Sequence, residues 1–345
     1  MKSQAQINAQ WSDSARVYDD IIQDELASFR VEGWTKLIRA QVDFKPGMKC
    51  LDTGCGPGFF SVILSRAGFD VTAIDGADKM REKAAENFRK YEVDVELLDM
   101  DAHYLDFDDD TFDLVVSRNV THALRDHRRV YSEWRRVLKP GGVLLIFDAN
   151  WHLAWSDPEM RKESRRRYKE CIDKYGSDYN GNTSYDDEKF DKIHKDVEEH
   201  QLAGITRPDF DFGVMKGVGF DEISIDRDIT KELWDDKEKL IFGNTPMFMI
   251  RGVKGPEHLI EVCMAGCCKR NGAEKILKAI KNKLGIEPGK NTTLDGKIKA
   301  VESGCLWLCK QPAVISVDGR LYTDMDPEKA ADVVEGLAAA WQSRC

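Results

Sequence analysis

Residues 50–59, Cys50-Leu51-Asp52-Thr53-Gly54-Cys55-Gly56-Pro57-Gly58-Phe59, end a short apolar run and open a helical one. A glycine-rich turn there lets backbone approach a ligand where a side chain would clash, and the helix start offers free N–H groups. Outward from this turn, apolar runs alternate with helical stretches: MKCLD then FFSVILSRA, VTAID then KMREKAAENF, VELLD, FDLVVS then RRVYSEWRRVL, and GGVLLIFDAN. The alternation predicts a mainly parallel sheet covered on both faces, with only a short loop between the third and fourth strands. DEISIDRDI and TPMFMIRGV read as further strands of the same sheet. Ahead of it, Trp11, Ala15, Tyr18, Leu26 and Phe29 recur at helical spacing, so the first 40 residues read as helix. Residues 151–206 break the rhythm with a charged, aromatic-bearing insertion, expected to form helices and a loop and positioned as a lid.

Four successive strand ends carry polar or close-packing residues. Asp75 ends the second strand, 21 residues after Gly54; Asp99-Met100-Asp101-Ala102 follow the third and Arg118-Asn119-Val120 the fourth. Ligands of such sheets bind at the carboxyl ends of the strands. A dinucleotide site wants G-x-G-x-x-G, but here the third glycine comes one position early and Phe59 stands where the pattern wants Gly.

Taken together, the D-x-G-x-G-x-G loop (Asp52, Gly54, Gly56, Gly58), the acidic IDGADKM, the Asp-Ala pair before an LDF segment, FDLVVSRN and LKPGGVLLI resemble a class I S-adenosylmethionine-dependent methyltransferase. The motifs lie within about residues 10–150, and the resemblance is taken to extend to about 250. It implies a Rossmann-like sheet, with Gly54 and Gly56 bordering the methionine moiety, Asp75 holding the ribose, and Met100, Asp101 and Ala102 meeting the adenine. It also brings Asn119 to the methionine end and Tyr18 over the cofactor.

The sulfonium methyl of such a donor is already activated, so the protein chiefly aligns a nucleophile and excludes water. His122 is the candidate general base, since it follows the fourth strand end and titrates near neutrality; lining that segment without catalysis is the alternative. Asp148 and Asn150 are candidates to orient an acceptor, or caps of the next segment. Trp151, Trp155, Tyr168 and Tyr175 are candidates to wall an apolar substrate pocket.

Nine cysteines occur, and six (Cys263, Cys267, Cys268, Cys305, Cys309, Cys345) lie in the last quarter. In a reducing compartment that clustering points to metal or redox chemistry. From Pro256 the chain reads strand, cysteine loop, helix, linking segment, second cysteine loop, then two strands around an Asp318-Gly319 hairpin turn and a last helix. The spacing is Cys263-x4-Cys268 and Cys305-x3-Cys309, whereas structural zinc favours tighter C-x2-C knuckles. This tail resembles the thioredoxin-like [2Fe-2S] ferredoxins over about 85 residues, with Cys309-Lys310-Gln311-Pro312 supplying the family's ending. The resemblance implies Cys263, Cys268, Cys305 and Cys309 as cluster ligands. Cys267 offers an alternative to Cys268, and Trp307 and Gln311 stand where the family often has glycine. A zinc site or an unliganded fold is the competing reading. Radical chemistry is set aside, because no triplet of closely spaced cysteines accompanies the glycine loop.

Two domains are thus expected among the 345 residues, 1–255 and 256–345. The chain has 51 basic against 61 acidic side chains, and the excess acid lies in the first 255 residues, 38 against 49. That balance argues against unselective nucleic-acid binding. No apolar run reaches the roughly 18–20 residues of a membrane span, and MKSQAQINAQ lacks the core of a signal peptide, so a cytoplasmic location is expected. The leading expectation is methyl transfer from S-adenosylmethionine to a small-molecule acceptor, with an attached cluster for electron transfer or redox control and a redox partner protein. The alternative is a redox sensor or electron-transfer protein that binds S-adenosylmethionine without turnover.

Overall fold

A computed structural model describes residues 3–179, 181–185, 202 and 204–342, without the side chains of residues 154, 155 and 336–342. The chain divides into two compact units, Met1–Lys254 and Gly255–Cys345.

The first unit begins with two helices where the periodicity predicted one. Helix α1 (Gln4–Leu26) opens on a capping box in which Ser3 and Gln6 satisfy each other's backbone N–H groups. The chain turns at 27–29 before α2 (Arg30–Arg39), which carries Trp34 and Ile38 into the core. Then come β1 (Lys49–Thr53), α3 (Phe59–Arg66), β2 (Asp70–Asp75), α4 (Asp78–Lys90), β3 (Val95–Asp99), β4 (Phe112–Arg118), α5 (His127–Val137) and β5 (Leu138–Asp148). As expected, no helix separates β3 from β4. Within the insertion lie the short α6 (Leu153–Ser156) and α7 (Pro158–Tyr175). Asp157 caps the latter, with Pro158 in the first turn where its missing N–H costs nothing, and Gly176 stops it at φ +76°. Residues 186–201 of the insertion lie outside the described residues.

The segment from Asp209 forms a helix that periodicity did not signal, α8 (Asp209–Gly217), followed by β6 (Phe220–Asp226), α9 (Asp236–Phe242) and β7 (Phe248–Lys254). The sheet runs β3-β2-β1-β4-β5-β7-β6. Its first five strands are parallel, and β7 pairs antiparallel with both β5 and β6. Apolar side chains pack both faces: Trp34, Phe60 and Phe147 on one, Tyr131, Trp134 and Phe248 on the other. Each such ring stabilises the fold by roughly 1.5–3 kcal/mol through burial. With both faces covered, the carboxyl ends of the parallel strands are the edge left for a ligand.

The second unit contains β8 (His258–Cys263), α10 (Gly266–Arg270), α11 (Ala273–Lys283), β9 (Ile298–Ser303), β10 (Ile315–Val317), β11 (Arg320–Tyr322) and α12 (Pro327–Gln342). Its sheet runs β11-β10-β8-β9, with β8 and β9 parallel and the other pairs antiparallel. Strand β9 lies in what the sequence showed only as a linking segment. The expected hairpin turn is present: Asp318 and Gly319 both have positive φ, +51° and +81°, as a two-residue turn between twisted strands requires.

Candidate functional site

At the carboxyl ends of β1, β2 and β4 the first unit forms a cleft roofed by α1. Its floor is the glycine turn. Gly54 has φ +69°, and a Cβ there would lie 2.6 Å from Val120; Gly58 has φ +92°, and a Cβ there would lie 2.5 Å from Phe88. Both positions exclude a side chain on packing grounds. Gly56, at φ +54°, meets nothing closer than the Met80 sulfur at 4.0 Å, so its bare backbone fronts open space. Gly54 and Gly56 line the cleft, whereas Gly58 faces Phe88 instead.

The remaining sequence-predicted cofactor residues all line this cleft: Tyr18 and Asp52, Asp75, the run Met100-Asp101-Ala102, and Asn119. Asp75 accepts the Gly56 N–H at 2.9 Å on one oxygen and the Ala77 N–H at 2.8 Å on the other. Burial raises its pKa despite these donors. Burial likewise pushes Asp52 up to about 6, although the Ser61 hydroxyl donates to it at 2.6 Å. Asp101 behaves differently: burial opposes its charge, but His103 and Arg125, at 2.6 and 2.8 Å, hold it below its usual range. Asn119 sits in the left-handed region at φ +55°, and its buried Oδ1 has no hydrogen-bond partner among the described residues. Desolvation pushes the half-buried Tyr18 phenol up to about 12.

A second cavity adjoins the first, and Tyr18, Ile22, Arg118 and Asn119 line both. Its walls are largely rings, from Trp34, Trp151, Tyr168, Tyr179, Trp234 and Phe242. Phe242 is their hub, with edge contacts to Trp151 and Tyr179 at 5.7 and 5.1 Å between centroids. Of the four aromatics expected as walls of a substrate pocket, Trp151 and Tyr168 line this cavity. Tyr175 does not: it is absent from the lining and partly exposed. The Trp155 side chain lies outside the described residues.

His122 faces this second cavity. Its Nδ1 lies 3.2 Å from Asp148, which also accepts the His122 backbone N–H at 2.8 Å and the Thr121 hydroxyl at 2.6 Å. Arg207 donates to the same carboxylate at 3.0 Å and is itself paired with Asp211 at 2.7 Å. Burial alone would raise the Asp148 pKa, but His122, Arg207 and Thr121 hold it well below the carboxylate range. Asp148 is therefore spent on these protein groups rather than turned to an acceptor. Asn150 is similarly engaged, since its side chain brackets the Arg207 backbone with two 2.8 Å hydrogen bonds.

Sequence reasoning missed Glu25 and its bidentate ion pair with Arg118, closest at 2.7 Å. A signal existed, because Glu25 stands seven residues after Tyr18 and so shares its helix face. Tyr179, Trp234 and Glu238 carried none, being scattered over distant segments.

In the second unit Cys263 ends β8 and Cys268 lies in α10, both buried, while Cys305 and Cys309 follow β9 on a more exposed loop. The Cys305 and Cys309 sulfurs are 3.8 Å apart. That matches the edge of a tetrahedron with metal–sulfur bonds of about 2.3 Å. Cys263 is in hydrogen-bond contact with Cys268 and Cys305, and the Leu306 and Ala265 N–H groups point at its sulfur; these donors outweigh burial and lower its pKa. Burial and the Cys263 thiol raise Cys268 to about 11. Cys267 touches Cys309 and accepts from Arg270 at 3.6 Å. Among the described residues no three His, Cys, Asp or Glu side chains converge on one metal ion. The thiols instead touch in series, Cys268 with Cys263, Cys263 with Cys305 and Cys305 with Cys309. Cys345 lies outside the described residues.

The chain joins a methyltransferase domain to a thioredoxin-like ferredoxin domain: residues 51–146 match the methyltransferase domain family and residues 247–338 the thioredoxin-like [2Fe-2S] ferredoxin family. A demethylmenaquinone methyltransferase of Staphylococcus aureus is 33% identical over 120 residues, 34% of this chain and 49% of that protein. An uncharacterized 37.1 kDa protein in transposon TN4556 of Streptomyces fradiae is 29% identical over 172 residues, 47% of this chain and 49% of that protein. The chain thus spans about half the length of these relatives. Among solved structures, a phosphoethanolamine N-methyltransferase of Haemonchus contortus in complex with S-adenosyl-L-methionine aligns with 64% of this chain and 51% of its own, at 19% identity and a TM-score of 0.43. Among the described residues no helix is long and apolar enough to cross a membrane.

Proposed function

We propose that the first unit transfers the methyl group of S-adenosylmethionine to a small aromatic acceptor of the phenol or hydroquinone type, and that the second holds a [2Fe-2S] cluster on Cys263, Cys268, Cys305 and Cys309. One observation carries the reading: the glycine-floored cleft and the ring-walled cavity share Tyr18, Ile22, Arg118 and Asn119. A donor in the first would present its methionine end to an acceptor in the second. The kinship with demethylmenaquinone methyltransferases supports a hydroquinone-like acceptor. A quinone is too electron-poor to attack a sulfonium, whereas its hydroquinone is a nucleophile, which gives an attached electron carrier a chemical purpose.

The cleft residues fit the donor. The partnerless Asn119 Oδ1 suits its ammonium group, and the bare Gly56 backbone leaves room for its chain. Asp75 keeps a second lone pair on each oxygen for the ribose hydroxyls. Met100 and Ala102 offer the adenine an apolar contact, beside an Asp101 fixed by His103 and Arg125. Gly58 serves through packing alone. When bound, the cofactor supplies a methyl group already activated for attack. In the acceptor cavity His122 takes the hydroxyl proton at Nε2, while Asp148 holds Nδ1 and balances the charge gained. The aromatic walls exclude water. The thiols fit the cluster in their own way, because a two-iron centre takes four thiolates and four thiols in mutual contact are what the second unit offers; the cluster would supply one-electron chemistry.

The test uses anaerobically purified protein, labelled S-adenosylmethionine and 1,4-naphthohydroquinone or its quinone. Methylated product and S-adenosylhomocysteine should form with the reduced acceptor only. Stoichiometric donor binding without turnover on any phenol or hydroquinone would favour the alternative, a redox sensor or electron-transfer protein.

Two further outcomes follow for the donor. Asp75→Ala should cost about 1.5–3 kcal/mol of S-adenosylmethionine binding through lost charged hydrogen bonds, read by calorimetric titration; unchanged affinity would remove Asp75 from the site. Asp52 gives a pH dependence of known sign. Its pKa near 6 belongs to the ligand-free cleft, and a cationic donor favours the ionised carboxylate. Affinity should therefore be flat above about pH 7 and fall as the pH drops below 6, with proton release on binding near pH 6. Titrations in buffers of different ionisation enthalpy measure that release.

A further inference from the structure

Trp307 is the most exposed aromatic ring among the described residues, at 86% relative exposure, and it lies between Cys305 and Cys309. Its backbone has φ +62°, in the left-handed region where a bulky residue is a conformational outlier. Glycine would adopt that angle freely, and strain of this kind is retained where surrounding structure or function demands it. The turn itself is accounted for, since the Trp307 N–H donates to the Cys305 sulfur at 3.4 Å; any residue with an N–H could do that. The indole is not accounted for, because it contributes almost nothing to the unit's own core. Next to it Leu308 is partly exposed and Cys309 is exposed, so apolar surface and the outer thiol pair share one face.

The charged side chains next to the outer thiols are cations. Lys310 is exposed beside Cys309, and Arg270 reaches the sulfur of Cys267, which in turn touches Cys309. Lys269 is also exposed, with Glu274 at 3.8 Å, and the acids nearest the loop are the exposed Glu302 ahead of Cys305 and Asp324, whose N–H donates to the Gln311 carbonyl. An aromatic anchor with Lys310 and Arg270 at the adjoining thiols is what an acidic protein surface with an apolar centre would dock against.

We propose that Trp307, with Leu308, Lys310 and Arg270, is the docking site for an acidic electron-transfer protein, which delivers electrons to the cluster at the Cys305–Cys309 side. The proposal rests on the reading that the second unit holds a [2Fe-2S] cluster. In each encounter the partner gives up one electron and is oxidised, and the cluster takes it and is reduced.

The experiment mixes the 345-residue, cluster-loaded chain with reduced flavodoxin, an acidic flavin protein, and follows bleaching of the cluster absorbance by stopped flow. Trp307→Gly should lower the second-order rate constant at least tenfold while raising the thermal unfolding midpoint, since glycine relieves the backbone. Lys310→Glu, which leaves the loop backbone alone, should also slow the reaction and flatten its salt dependence. Dithionite, which needs no docking site, should reduce all three proteins equally fast. Wild-type rates with flavodoxin in both variants would overturn the proposal, as would a wild-type rate that is independent of flavodoxin concentration and so reports docking of this face within the chain. A wild-type chain with no iron and no visible absorbance would instead overturn the cluster reading beneath it.

Discussion

Replacing His122 with glutamine should lower kcat for methyl transfer about 100- to 10,000-fold, the range that a positioned general base supplies, while S-adenosylmethionine affinity stays within about twofold. The split follows from location. His122 lines the ring-walled cavity and not the glycine-floored cleft, so its loss removes proton transfer without touching the donor. Glutamine keeps a hydrogen-bonding group near Asp148, which limits the cost of leaving that buried carboxylate with one partner fewer. Rapid-quench assays of the variant with 1,4-naphthohydroquinone, beside calorimetry with the donor alone, give both numbers. A variant that methylates at the wild-type rate would leave His122 as a cavity wall and nothing more.

The second large effect concerns the thiols. Cys263→Ser and Cys268→Ser should each take the chain from about two irons per molecule to nearly none when purified anaerobically, with loss of the visible absorption that a four-thiolate [2Fe-2S] centre gives. Cys267→Ser should retain both. The contrast rests on contact: Cys268 is paired with Cys263 inside the unit, whereas Cys267 is half-exposed and engages Arg270 and Cys309. Iron retained in Cys268→Ser and lost in Cys267→Ser would exchange the two assignments.

The cleft was legible in the sequence because its parts are local. A glycine turn, a carboxylate at the end of the next strand and an Asn after the fourth strand each sit at a fixed offset from a strand that periodicity reveals. The one residue that stands apart, Gly58, has the same glycine signature for a different reason, a close approach to Phe88 that only the folded chain displays. The acceptor cavity was legible only in part. Trp151 and Tyr168 were visible as aromatics in an insertion, but Trp34, Tyr179 and Trp234 come from segments far apart, and nothing in their immediate neighbours says that they meet. Strand β9 was hidden for another reason. Its sequence IKAVES alternates apolar and charged residues weakly, and it is held at the sheet edge by parallel pairing with β8 and by one antiparallel bridge, Thr292 to Lys299. The α1–α2 break escaped because the apolar spacing continues through Leu26 and Phe29 while the backbone turns.

Tyr18, Ile22, Arg118 and Asn119 belong to two cavities at once, and this has a kinetic meaning. With donor and acceptor in the two cavities as proposed, their dissociation constants would not be separate properties of separate pockets. Any energetic coupling across the shared wall is reciprocal, so whatever one ligand does to the other's affinity is returned by the same factor. A substitution at Arg118, whose guanidinium is locked to Glu25 at the junction, would shift both constants together, and initial-rate patterns would have to be fitted as a surface in two concentrations rather than as two independent curves.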